Sequence, residues 1–165
     1  MTTESDWRPL VDEVSIEDLP QMINRALAVL ADLLLDANHV CTFTLDHGPL
    51  VADVITSANH LLPSGCRVSE LKPIESWEAL FTESLPSGDP FVPASITPWG
   101  ENTPVRVLAE RLTGWIVALL GRLWGEDATA FTSDVECDDL YEVYYIDLVV
   151  QMTDRVSLLH LGVSD

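Results

Sequence analysis

The sequence predicts an α+β domain, with two long amphipathic helices packed on an antiparallel sheet whose C-terminal part is a three-stranded meander. Three observations lead there. Apolar residues recur at three- and four-residue spacing over 15–37 and again over 104–124, the period of a helix with one buried face. After Gly125 the period shortens toward two, and β-branched and aromatic residues take over. The chain has 165 residues and is 47% hydrophobic, which suits one core and a single domain.

Each element has a local reason. Residues 1–14 read as an N-terminal arm that Trp7, Leu10 and Val11 dock onto the core, and 15–165 as the domain itself. Ser15 and Asp18 resemble a capping box for the first long helix, and Pro20 is tolerated in its first turn. Leu19, Met22, Ile23, Ala26, Leu27, Leu30, Leu33 and Leu34 form its apolar face, with Asn24 lying off it. Residues 40–45 alternate as a short strand, and Asp46-His47-Gly48-Pro49 is a turn signal. A helix is expected over 50–62, ended by Pro63-Ser64-Gly65. A strand over 66–72 and a short helix over 75–84, carrying Trp77, Leu80 and Phe81, follow.

The stretch 85–104 holds five of the ten prolines and reads as a long irregular loop. Thr103 is a plausible N-cap for the second long helix, with Pro104 at its first position. Gly114 and Gly121 fall on one side of that helix and predict close approach of another element. Strands are expected over 128–135, 140–151 and 156–162, with a tight hairpin at Met152-Thr153-Asp154-Arg155.

Charge excludes more than it assigns. Asp and Glu number 27 against 8 Lys and Arg, for a net charge of −19. A disordered acidic chain would lack this apolar content. Phosphate contacts need clustered cations, so direct nucleic-acid binding is not expected, nor is attachment to an anionic membrane. Arg106, Glu110, Arg111 and Arg122 interrupt the longest apolar helix and argue against a membrane span. Cys41, Cys66 and Cys137 are isolated and odd in number. That is no disulfide scaffold, and it fits a reducing cytoplasm. The acidic segment Met1–Asp6 has no apolar run behind it, unlike a secretory signal. Lys72 is the only lysine, as in chains from GC-rich or salt-adapted organisms.

No catalytic residue, metal or cofactor is assigned. No GxSxG, GxxxxGK[ST] or GxGxxG is present. His39 and Cys41 share a strand face, but read as a buried thiol beside a partly exposed imidazole. His39, Cys41, His47 and His60 are zinc-ligand types without the close paired spacings of structural sites. The acidic run 134–139 lacks the glycine and closing Glu of a calcium loop.

The most informative feature is the clustered acid of the final third of the chain. Glu126, Asp127, Asp134, Glu136, Asp138, Asp139, Glu142 and Asp147 occur without an intervening Lys or Arg, and Tyr141, Tyr144 and Tyr145 lie among them. The bland reading is a solvated sheet surface. The functional reading is a face for a basic protein partner, which acids steer and tyrosines anchor. Its expected contacts are Asp134, Glu136, Asp138, Asp139, Glu142 and Tyr144. In its most concrete form this is a bacterial, cytoplasmic immunity protein that neutralises a nuclease-like toxin by occupying a cationic groove. Small acidic immunity proteins are similar in size and charge only. The alternatives are a DNA mimic, and a small enzyme or ligand-binding domain with Trp77, Trp99 or His47 lining a pocket under the Pro-rich loop. A third is a subunit whose acid is spread evenly over its surface.

Overall fold

The computed structural model describes residues 7–34, 40–84, 104–142 and 144–164. Helix α1 (Arg8–Asp12) is followed by α2 (Leu19–Leu34), strand β1 (Val40–Pro49), α3 (Val54–Leu61) and β2 (Cys66–Pro73). Then come α4 (Trp77–Ser84), α5 (Pro104–Trp124), and strands β3 (Thr129–Cys137), β4 (Tyr144–Gln151) and β5 (Arg155–Ser164). The strands form one five-stranded antiparallel sheet in the order β1-β5-β4-β3-β2, so the last three make the predicted meander. The α+β architecture is as the sequence predicts. No helix among the described residues is long and apolar enough to cross a membrane.

The sheet has two unlike faces. On the first, α2 and α5 bury Ile23, Leu27, Leu30, Ile116, Leu119 and Leu120 against Phe43, Leu148, Val150 and Leu161. Fully burying side chains of this kind contributes roughly 1.5–3 kcal/mol each, so this layer holds most of the core. On the second face, among the described residues, cover comes chiefly from α3 and its C-cap, through Ala58 and Leu62 against Val68, Val149, Val156 and Leu158. Because β1 and β2 are opposite edges of the sheet, the β1–β2 connection must cross this face, and α3 makes the crossing. One short helix cannot cover five strands, and among the described residues the remainder is left uncovered.

Several boundaries differ from expectation for identifiable reasons. Residues 46–49 are not a turn. They continue β1, pairing Asp46 with Leu158 and Pro49 with Arg155, because β1 is an edge strand and an edge tolerates a terminal proline. Helix α3 starts later, where the Asp53 carboxylate accepts from the Thr56 backbone N–H at 2.8 Å and caps it. Residues 140–142 precede β4 rather than belonging to it. The arm is tied down: Val11 is buried, Trp7 meets Trp115 edge-on at 5.4 Å, and Arg122 bonds Asp12 and the Val14 carbonyl. Gly114 does admit a close neighbour, the Trp7 indole nitrogen at 3.6 Å from a built Cβ, whereas nothing lies within 4 Å of one at Gly121. The Pro-rich loop over 85–103 lies outside the described residues, as does His39.

Two further findings were hidden in the sequence. Cys66 and Cys137 stand opposite each other on β2 and β3 and form a disulfide, so the expectation of three unpaired cysteines is corrected; Cys41 alone is free. A separation of 71 residues concealed the pair, which only the sheet register brings together. Asn24 also has a task. Its side chain donates to the Leu45 carbonyl and accepts from the Leu45 N–H, both at 2.8 Å. It thereby occupies the outward backbone groups of an edge strand, which are otherwise open to a foreign strand. Asn24→Ala is expected to cost about 1 kcal/mol in chemical denaturation and to raise the aggregation rate. Unchanged values of both would remove this role.

Candidate functional site

The open half of the second sheet face is a cleft of about 670 Å³. Strand parity supplies its floor. Residues of β5 whose side chains face α2 and α5 are Leu159, Leu161 and Val163, so Leu158 and His160 face the other way. By the same alternation Phe43 and Leu45 face the helices, and Thr42, Thr44 and Asp46 face the cleft. One wall is the end of α3 with the Pro63–Gly65 turn, and the other is the segment Asp138–Glu142. The walls are joined by the Cys66–Cys137 disulfide and by the Asp138 N–H donating to the Gly65 carbonyl at 3.0 Å.

A buried polar network lies under this cleft. His160 Nδ1 is 2.7 Å from Asp147 Oδ1 across the β4–β5 register, and 3.1 Å from the Tyr141 hydroxyl. A carboxylate has no proton to give, so Nδ1–H donates to Asp147, and in the neutral form of the ring that tautomer places the lone pair on Nε2. Side-chain exposure is 8% for His160 and 0% for Asp147, so neither is held by solvent. Glu142 Oε1 lies 3.9 Å from Nε2, an ion-pair distance and too long for a hydrogen bond. Glu142 Oε2 and Asp147 Oδ2 are both buried with no hydrogen-bond partner. Such groups are costly unless something satisfies them.

Gly162 explains how these groups come so close. A Cβ there would collide with His160 Nε2 and would lie 2.9 Å from Glu142 Cγ. The missing side chain lets the imidazole and the glutamate lie down on the β5 backbone. The Tyr141 ring completes the group, 5.1 Å from the His160 ring and 5.0 Å from Tyr145.

Burial shapes the acid–base properties. The Tyr141 hydroxyl is pushed far above the usual phenol range, chiefly by burial and then by the Asp147 charge. Burial raises Asp46, partly offset by His160. Cys41, behind the sheet, is raised to about 11 by burial and then by Glu142, so it is no thiolate nucleophile at neutral pH.

The six contacts expected from sequence do not share one surface. Asp134 and Glu136 have the parity of Ala130, on the side of the sheet that α2 and α5 occupy. There Asp134 bonds Lys72, and Glu136 bonds Arg67, each at 2.8 Å. Tyr144 has the parity of Ile146 and Leu148 on that same side, and is 59% exposed. Asp138, Asp139 and Glu142 line the cleft on the opposite side. Sequence reasoning did not single out His160 or Asp46. A signal existed for His160, since it shares the β5 parity of the pocket-facing Leu158, but only the strand register sets it against Asp147.

Other sequence candidates are placed elsewhere. His47 Nδ1 is 2.8 Å from the Ser157 hydroxyl, and burial lowers its pKa. Trp77 packs edge-on to Trp124 at 4.6 Å. Among the described residues no three His, Cys, Asp or Glu side chains are grouped as metal ligands. No protein-family model, curated protein or solved structure matches the chain.

Proposed function

We propose that the chain is a binding protein that engages and blocks a basic protein partner through the rim of this cleft. One observation carries the reading: among the described residues the cleft is lined by Asp46, Asp138, Asp139 and Glu142 and by neither lysine nor arginine. Acid alone does not select this face, because exposed carboxylates also occur on α1, α4 and α5, at Asp12, Glu78 and Glu110. What distinguishes the cleft is a lining without lysine or arginine, although Arg67 outside it feels the Asp138 charge, whereas Asp134 and Glu136 are directly paired. Leu140, 84% exposed, stands on the same rim and offers an apolar contact ringed by charge. A net charge of −19 would steer a cationic partner to it.

The most concrete form remains a bacterial immunity protein against a nuclease-like toxin, acting in the cytoplasm. In that compartment Cys66 and Cys137 would be held as thiols, and the disulfide would form under oxidising conditions. A DNA mimic fits less well, because the acidic contacts are divided between two sides of the sheet. A small enzyme or ligand-binding domain is the second reading, favoured by the buried Asp147–His160 pair opening toward a cleft.

The test is affinity capture from nuclease-treated lysate of the native host, at low and high salt, followed by an activity assay of whatever is retained. Support is one stoichiometric basic protein whose activity the chain suppresses, with suppression lost in the variant carrying Asp138→Lys and Asp139→Lys. If the double variant suppresses as well as the native chain, or if no basic protein is retained, the reading fails.

A further inference from the structure

We propose that the cleft is a binding site for an alkylguanidinium or alkylammonium group held by Glu142 and Asp46 beside Nε2 of His160. The inference rests on the proposed function for the bearer of that cation, an Arg or Lys side chain of the partner. The site itself stands on the geometry.

Three features point to a cationic donor. His160 is more than nine-tenths buried, lines the cleft, and has no hydrogen bond at Nε2 among the described residues. Asp147 fixes the tautomer that makes Nε2 an acceptor. Glu142 Oε1 stands 3.9 Å from that nitrogen, close enough for one donor nitrogen to bond both, and Glu142 Oε2 is buried without a partner. The carboxylates that line the cleft therefore give it excess negative charge, the inverse of an anion site. Leu61, Leu62 and Leu158 supply apolar wall for an alkyl stem, and the Tyr141 ring offers a face to a cation.

The site has a definite pH sign. The groups facing the imidazole are Asp147 from β4, Asp46 from β1, and Tyr141 and Glu142 from the rim. Burial holds the Asp46 carboxyl above the usual carboxylate range, so its protonation as pH falls removes negative charge and weakens cation binding.

The experiment is a titration of the full chain with butylguanidinium, butylammonium and neutral butylurea, followed by calorimetry and the His160 ring signals in NMR. Saturable binding of the two cations that moves the His160 signals is expected, with none from butylurea. Glu142→Gln and Asp46→Asn should each weaken it about tenfold, or about 1.4 kcal/mol. Asp134→Asn, on the other side of the sheet, should leave it unchanged. Equal binding of butylurea, undisturbed His160 signals, or unaltered affinity in both cleft variants with native circular dichroism would overturn the site. A Gly-Arg-Gly peptide that binds more tightly than butylguanidinium assigns the cation to a protein side chain, and the reverse order assigns it to a free small molecule. Probes that bind in a chain that retains no basic protein leave the site standing without the inhibitor reading. A suppressed partner together with inert probes leaves the opposite.

Discussion

Serine in place of both Cys66 and Cys137 is expected to lower stability by about 2–4 kcal/mol, measured as a fall in urea midpoint relative to the oxidised native chain. The bond closes a loop of 71 residues that includes α4 and α5. A cross-link over so long a segment removes much of the unfolded chain's freedom, and that loss is absent in the variant. The same shift should appear when the native chain is reduced, and reductant should not shift the variant further. Thiol titration of the unfolded, unreduced chain should find one group, Cys41, out of three cysteines. In the folded protein that thiol should react slowly at neutral pH, since burial holds it at about 11. Three reactive thiols before reduction, with an unchanged midpoint, would show that the bond does not form.

Gly162→Ala is expected to cost about 1–3 kcal/mol, as overpacked sites do, and to damage the cleft beyond its effect on stability. The added methyl group meets His160 Nε2 and the Glu142 side chain together. The imidazole cannot step aside freely, because Nδ1 is bound to Asp147 in the sheet interior. Glu142 moves first, and with it the acceptor that faces Nε2. Butylguanidinium binding should then fall further than in Glu142→Gln, while Gly121→Ala, which meets nothing within 4 Å, leaves binding intact. A Gly162→Ala chain with native stability and native His160 signals would mean that the ring and the glutamate do not rest on β5.

Much of the fold was legible because local pattern and tertiary placement agree. Helix α5 begins at Pro104 and stops where Gly125 takes a positive φ of 74°, as its sequence signals state. Helix α2 declares its buried face through Leu19, Ile23, Leu27 and Leu30. The misread elements are those where a neighbour overrides the local signal. Asp46-His47-Gly48-Pro49 has turn composition, yet β5 holds it as strand. Asn24 looks like a surface residue until Leu45 is placed beside it. The site was legible in part. Glu142, Asp138 and Asp139 stood out by charge, but charge could not divide them from Asp134 and Glu136, because the two sets differ only in which side of the sheet they reach. His160, Asp147 and Asp46 meet by pairings between distant strands, and no spacing in one chain announces such a meeting.

The strand order has a consequence for how the chain assembles. The last strand in sequence, β5, lies between β1 and β4. While the chain is being synthesised, β1 has no partner until β5 emerges, and α2 has only half a surface to pack on. Pairing between strands so far apart in sequence is slow, because the intervening chain must be closed first. A nascent chain stopped before Arg155 therefore presents unpaired edges and apolar faces, the kind of intermediate that chaperones hold. The cleft forms at the same late moment, since β5 carries its histidine and the glycine on which that histidine lies.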